Sequence, residues 1–289
     1  MPRMSDDTKP RKLSGKTMVI SGGSRGIGLA IALRAAADGA NVALLAKTAE
    51  PHPKLKGTIY TAAAEIEDAG GSALAIVGDV RNDRDVAGAV SQTIDRVGGI
   101  DICVNNASAI NLANADELTM KAYDLMQDIN VRGTVALSKA CLPHLRKSEN
   151  GHVLTLSPPI SLEPRWLAPH TGYTIAKYGM TLCALGLAEH LREDGVASNA
   201  LWPRTLVATA AVQNLLGGDA AMKMARTPAI YADAAYHVLT RDSRELTGQA
   251  LLCEDVLKEA GVTDFTPYAA DGAGAELGVD LFVDSVNPE

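Results

Sequence analysis

The chain of 289 residues carries 27 Lys plus Arg against 34 Asp plus Glu, a formal charge of −7, with 47% hydrophobic and 4% aromatic residues. That balance excludes a nucleic-acid binder built on surplus cations, and so few aromatics exclude an obvious base-stacking platform. No apolar run approaches the roughly 18 residues of a membrane span.

Met1 to Lys16 is polar, mixed in charge and without an apolar h-region, so residues 1–12 read as a flexible arm and not as a signal peptide, with a cytoplasmic location expected. From Lys16 onward short apolar runs alternate with longer amphipathic stretches. Thr17–Ile20, Asn41–Leu45, Ala73–Val77, Ile100–Val104, His152–Leu156 and Val196–Leu201 read as strands, nearly continuous in apolar character as suits strands covered on both faces. Helical patterns lie between them at Ile27–Asp38, Ile59–Ala69, Asp83–Val97, Tyr123–Lys147 and Tyr173–Glu193. This alternation predicts an α/β fold, a doubly wound parallel sheet with right-handed crossovers and helices on both faces. Cys103, Cys141, Cys183 and Cys253 are widely spaced without a CxxC or Cys/His pairing, which indicates reduced packing residues and neither a disulfide framework nor a metal site.

Immediately after the first strand stands Ser21-Gly22-Gly23-Ser24-Arg25-Gly26-Ile27-Gly28, and a helix-forming run follows at once. Glycines at Gly22, Gly26 and Gly28 permit a tight turn, close approach of backbone to a pyrophosphate, and close packing of helix on strand. The amides of the helix N-terminus then face the phosphate.

The spacing of this loop resembles the TGxxxGxG loop of short-chain dehydrogenases/reductases, with Ser21 for the usual threonine. The resemblance continues through Asp79-Val80 after the third strand, Asn105-Asn106-Ala107-Ser108 after the fourth (NNAG with serine last), Asn130, and Tyr173-Thr-Ile-Ala-Lys177 as YxxxK. It covers about residues 13–252 and implies one Rossmann-type domain that binds a nicotinamide dinucleotide. Gly22, Ser24, Arg25, Gly26, Ile27 and Gly28 would then cradle the phosphates, Asp79 and Val80 would contact adenine, and Asn106, Ala107 and Ser108 would line the nucleotide. The resemblance further implies a homotetramer or homodimer through the helices at 123–147 and 173–193.

An NAD site of this kind carries an acid at the end of the second strand, where it accepts from the ribose hydroxyls and repels a 2′-phosphate. Here the stretch reads Leu45-Ala46-Lys47-Thr48, and with Arg25 in the phosphate loop two cations favour NADP(H) over NAD(H).

Tyr173 and Lys177 are four apart in a helical stretch and share one face. A free tyrosine titrates near pH 10, and a neighbouring ammonium stabilises phenolate and lowers that value. Tyr173 is therefore expected as general acid for carbonyl reduction and general base for alcohol oxidation. By resemblance Lys177 also holds the ribose hydroxyls, and Asn130 supports a water that extends the proton relay. The family's serine at the end of the fifth strand is displaced, because the strand ends Leu156-Ser157-Pro158-Pro159. Ser157 is the first candidate to donate to the substrate oxygen and Ser161 the second. Pro203-Arg204-Thr205 stands where Pro-Gly is usual; Pro203 and Thr205 are expected at the nicotinamide amide, with the arginine an anomaly. These departures mark out a branch within the family.

Residues Thr205 to Arg226 read as a small, apolar substrate lid, with Trp166, Leu167 and Trp202 adding wall, which suits a hydrophobic ketone, alcohol or acyl-type small molecule. A non-catalytic module that senses redox state through NADP is the alternative, motivated by the displaced serine and Arg204; the intact Tyr173, Lys177 and Asn130 favour the enzyme. From Cys253 onward nine acids face one base, so the acidity resides in residues 253–289, which read as a solvated or subunit-capping extension.

Overall fold

The computed structural model describes residues 12–51, 57–272 and 276–286. All but Lys12 of the expected N-terminal arm lies outside the described residues. Seven strands form one parallel sheet: β1 (Thr17–Ser21), β2 (Asn41–Ala46), β3 (Ser72–Val77), β4 (Ile102–Asn105), β5 (His152–Thr155), β6 (Ala197–Trp202) and β7 (Ala250–Leu252), in the order β3-β2-β1-β4-β5-β6-β7. The first six match the apolar runs. The last was not anticipated, since three half-buried residues are too few to show a period.

Helices α1 (Gly26–Ala36), α2 (Ile59–Asp68) and α3 (Asp83–Val97) follow the first three strands. Local chemistry sets their ends. A capping box between Thr58 and Thr61 opens α2; Asn82 caps α3, whose first turn holds Asp83 and Asp85, and left-handed Gly98 ends it. The stretch expected as one helix over 123–147 is instead α4 (Met120–Met126), a π-helical turn (Gln127–Arg132) and α5 (Gly133–Leu145). Then come α6 (Pro164–Leu167), α7 (Thr171–His190), α8 (Ala210–Leu215), α9 (Gly218–Lys223), α10 (Ala229–Leu239) and α11 (Cys253–Glu259).

Strand residues alternate between two cores. Met18, Ile20, Val42 and Leu44 pack with Ile31, Ile66, Ile230 and Leu257 on one face, while Val19, Ala43 and Leu45 pack with Val86, Val90, Leu137 and Leu145 on the other. Burying each such aliphatic side chain contributes about 1.5–3 kcal/mol, so both faces must stay covered. Parts of the acidic C-terminal stretch pack into this body. Cys253, Val256 and Leu257 of α11 are buried against α10, and Phe282 and Val283 are 3% and 6% exposed. All four cysteines are free, and among the described residues no group of His, Cys, Asp or Glu forms a metal site. Among the described residues no helix is long and apolar enough to cross a membrane.

Candidate active site

Strand order reverses between β1 and β4, which opens a crevice beyond the C-terminal ends of the strands. The residues singled out above converge there. Gly22 and Gly26 adopt positive φ (70° and 59°), which lets the chain turn from β1 into α1. Gly28 serves close packing: a Cβ at that position would lie 2.6 Å from Asn106 Nδ2. That carboxamide donates to the carbonyls of Ser21 (2.8 Å) and Gly22 (2.9 Å), and Ser21 Oγ accepts from the backbone N–H of Asn106 (3.2 Å) and Ala107 (3.1 Å). Asn106 and Ser21 thus clamp the phosphate loop to the loop after β4. Ser24 is buried, Ile27 partly buried, and the α1 N-terminus carries no side-chain cap and no acid in its first turn. Its leading amides suit a phosphate, so the loop fits a dinucleotide.

Arg25 Nη2 donates to the Gly57 carbonyl at 2.7 Å. Lys47, at the end of β2, pairs with Asp79 at 3.2 Å, and Arg81 forks onto the same carboxylate, with Nη2 2.7 Å from Oδ2. The Arg81 guanidinium holds the Asp79 carboxyl far below the usual carboxylate range, with Lys47 adding to the effect. Asp79 is therefore already committed to two cations. Val80 is buried against the start of α5, where a Cβ on Gly133 would approach its side chain at 2.9 Å. Ser108 is exposed.

Tyr173 and Lys177 lie on α7 under the ends of β5 and β6, 5% and 3% exposed. Lys177 Nζ donates to the Leu156 carbonyl at 2.8 Å and sits 4.9 Å from the centre of the Trp202 ring. Burial lowers the Lys177 ammonium pKa, with Asp280 pulling it back up. Tyr173 departs from expectation: burial, reinforced by the negative charge of Asp280, pushes its phenol far above the ordinary value.

Asn130 occupies the π-helical turn and is fully buried. Its Oδ1 accepts from Ala109 N–H (2.7 Å) and its Nδ2 donates to Ala109 C=O (3.0 Å), so the side chain holds the loop after β4. Ser157 is also fully buried. Its Oγ accepts from Thr181 Oγ1 at 2.9 Å, and the same hydroxyl reaches the Pro158 carbonyl at 2.7 Å. Thr181 lies one turn beyond Lys177 and turns Ser157 into a strand-to-helix tie. Ser161 accepts from Glu163 N–H with its hydroxyl, while its backbone is bracketed by Tyr178 Oη.

Pro203 is buried beside Arg204, and the arginine proves structural. Its guanidinium forks onto Asp255 (3.0 and 2.8 Å) and its N–H reaches Glu254 Oε2 at 2.8 Å, fastening the loop after β6 to α11. The Thr205 hydroxyl lies 3.4 Å from Glu254 Oε1 and so joins this network. The apolar cluster around Tyr173 also differs from the expected lid. It draws on Met126, Tyr178, Trp202, Phe282 and Val283, with Trp166 and Leu167 beside them, whereas Val207 packs into the main core. Tyr178, His170, Asp280 and Phe282 were not anticipated, because nothing in their local sequence brings them near residue 173.

A family model described as short chain dehydrogenase matches residues 16–218. Over 273 residues the chain is 55% identical to hydroxysteroid dehydrogenase-like protein 2 of Danio rerio, covering 94% of this chain and 65% of that protein's length. The chain therefore spans somewhat under two thirds of that relative. A crystal structure of a short chain dehydrogenase from Mycobacterium thermoresistibile is 67% identical with a TM-score of 0.91, covering 96% of this chain and 98% of that one. A metagenomic short-chain oxidoreductase in complex with NADP is 25% identical with a TM-score of 0.68, covering 83% of this chain and 97% of that one. With its motifs set in order along one parallel sheet, the chain belongs to the short-chain dehydrogenase family of oxidoreductases.

Proposed function

We propose that the protein is an NADP(H)-dependent oxidoreductase acting on the carbonyl or secondary alcohol of an apolar small molecule. The observation that carries this reading is the buried Tyr173–Lys177 pair on one face of α7, beside the crevice that begins at the uncapped N-terminus of α1. The nicotinamide, when bound, exchanges hydride with the substrate carbon. Tyr173 Oη supplies the proton to the carbonyl oxygen in reduction and takes it back in oxidation. Lys177 lies one helical turn away, where its charge favours the phenolate that Tyr173 becomes after giving up its proton. Asn130 acts by fixing Ala109 in the loop that faces the pair.

Arg25 and Lys47 supply positive charge for a 2′-phosphate, and no acid of β2 opposes it. NADP in the metagenomic relative supports the same preference. Lys47 would exchange its contact with Asp79 for the phosphate, leaving Arg81 on the carboxylate. Exposed Met120, Leu125, Val135, Ile175 and Leu182 on α4, α5 and α7 support self-association through these helices.

NADPH oxidation across aliphatic, aromatic, steroid and acyl-CoA ketones, with Tyr173→Phe as control, tests the chemistry. The substitution is expected to lower turnover by about 100-fold or more while NADPH still binds. Turnover that survives it sinks the mechanism, and NADPH binding without turnover of any ketone favours the redox-sensing module. For the cofactor, Arg25→Ala with Lys47→Ala is expected to lower the NADPH/NADH ratio of kcat/KM; an unchanged ratio refutes the assignment.

A further inference from the structure

The C-terminal stretch returns across the mouth of the crevice and lies over Tyr173. Gly278 is held by two backbone hydrogen bonds, from Leu206 N–H to its carbonyl (3.0 Å) and from its N–H to Met224 (2.8 Å). Val279 forms an antiparallel bridge with Thr205, Asp280 N–H donates to the Arg204 carbonyl at 3.0 Å, and Trp202 Nε1 donates to the Leu281 carbonyl at 2.9 Å. Beyond this the ring of Phe282 enters an aromatic box. Its centroid lies 5.3 Å from Tyr178, 5.7 Å from His170, 6.0 Å from Trp166 and 6.2 Å from both Tyr173 and Trp202.

Phe282 is 3% exposed and has φ of 71°, and among the described residues it is the one non-glycine residue with positive φ. A bulky side chain holds that conformation only where its surroundings compel it, and such strain clusters at ligand clamps and switch segments. The distal anchor is an exposed ion pair between Asp284 and Arg165, which binds weakly. A ring thus stands beside Tyr173, on a segment fastened by backbone hydrogen bonds and by the burial of Phe282 and Val283.

We propose that residues 279–283 are a strap seated in the substrate site itself, with Phe282 holding the place of a substrate ring, so that the enzyme takes a ring-bearing ketone or aldehyde, or the matching alcohol, that displaces Phe282. This rests on the oxidoreductase reading and adds a substrate class to it. An aryl or cyclohexyl ring meets the same five aromatic faces, and its attached carbonyl then falls toward Tyr173. Displacement also takes Asp280 away from Lys177 and Tyr173. The negative charge that helps raise the Tyr173 phenol leaves as the substrate arrives. An acyclic aliphatic chain lacks the shape that replaces Phe282.

The protein has two tryptophans, Trp166 and Trp202, and both touch the strap, so emission reports its position without turnover. Full-length wild type and Phe282→Ala are titrated with 1-phenylethanol and with hexan-2-ol. A site competent only when the strap is out binds weakly in proportion to that fraction, so the variant is expected to bind 1-phenylethanol about tenfold tighter, with little gain for hexan-2-ol. An unchanged or weaker affinity for 1-phenylethanol, or an equal gain for both alcohols, overturns the proposal. Should the variant fail to fold, hydrogen exchange of the 276–286 amides in wild type decides. Saturating 1-phenylethanol is expected to speed exchange; slower exchange means the ligand stacks on an ordered strap and overturns the proposal. Tighter binding without turnover of any ketone leaves the strap standing and sinks the oxidoreductase reading alone.

Discussion

Gly28→Ala sets two effects of opposite sign against each other. Gly28 is the third residue of α1, and its φ is not in the left-handed region, so alanine there should gain about 1 kcal/mol from helix propensity. The new methyl, however, would lie 2.6 Å from Asn106 Nδ2 and 3.0 Å from the Gly22 carbonyl. Asn106 must swing away and give up its bonds to the Ser21 and Gly22 carbonyls. Each lost bond costs about 0.5–1.5 kcal/mol, and a carbonyl left buried and unpaired costs about 1–3 kcal/mol. The loss of about 2–4 kcal/mol exceeds the gain, for a net destabilisation of about 1–3 kcal/mol. Urea unfolding measures it, and NADPH affinity should fall alongside, because the clamp shapes the phosphate loop. In an Asn106→Ala background the carboxamide is already gone, so the same substitution should cost at least about 1 kcal/mol less. A stabilised or neutral Gly28→Ala, or an equal cost in both backgrounds, refutes the packing role of the glycine.

Asn130→Ala leaves the part-buried Ala109 N–H without its partner, while the Ala109 carbonyl keeps only the Ser108 hydroxyl at 3.4 Å, and is expected to cost about 1–3 kcal/mol in urea unfolding, together with weaker NADPH binding. A loss below about 0.5 kcal/mol would show that the loop does not depend on this side chain. His152, at the start of β5, has its imidazole pushed down to about 4 by burial from the ordinary 6.5. Between those values the unfolded chain binds a proton that the folded protein refuses, so stability falls as pH drops from 6.5 toward 4, by about 3 kcal/mol in full. The difference between wild type and His152→Gln in stability from pH 7 to 4 isolates this contribution; parallel profiles would contradict it.

Much of the site was legible in the sequence because its signals are local. The glycines of the first loop follow a strand and open a helix, and Tyr173 and Lys177 are one turn apart, so their placement on one face needs only helical geometry. Six of seven strands stand out because a strand covered on both faces is apolar throughout. What the side chains do was less legible. Asn106, Asn130 and Ser157 were all expected beside the ligand, and their side chains take partners 21 to 85 residues away: the Ser21 and Gly22 carbonyls, the Ala109 backbone and Thr181.

Sequence alone therefore determined the α/β alternation, the glycine-rich loop between β1 and α1, the cation at the end of β2 and the pairing of Tyr173 with Lys177 on one helix face, all of them properties of short windows. The tertiary structure decided that Arg204 braces α11, that the Asn130 side chain bonds the Ala109 backbone, and that Phe282 of an acidic stretch seemingly beyond the domain lies beside Tyr173. Burial is a sum over distant segments, and no local window of sequence contains it. The same burial raises the phenol of Tyr173 where its neighbour Lys177 would lower it.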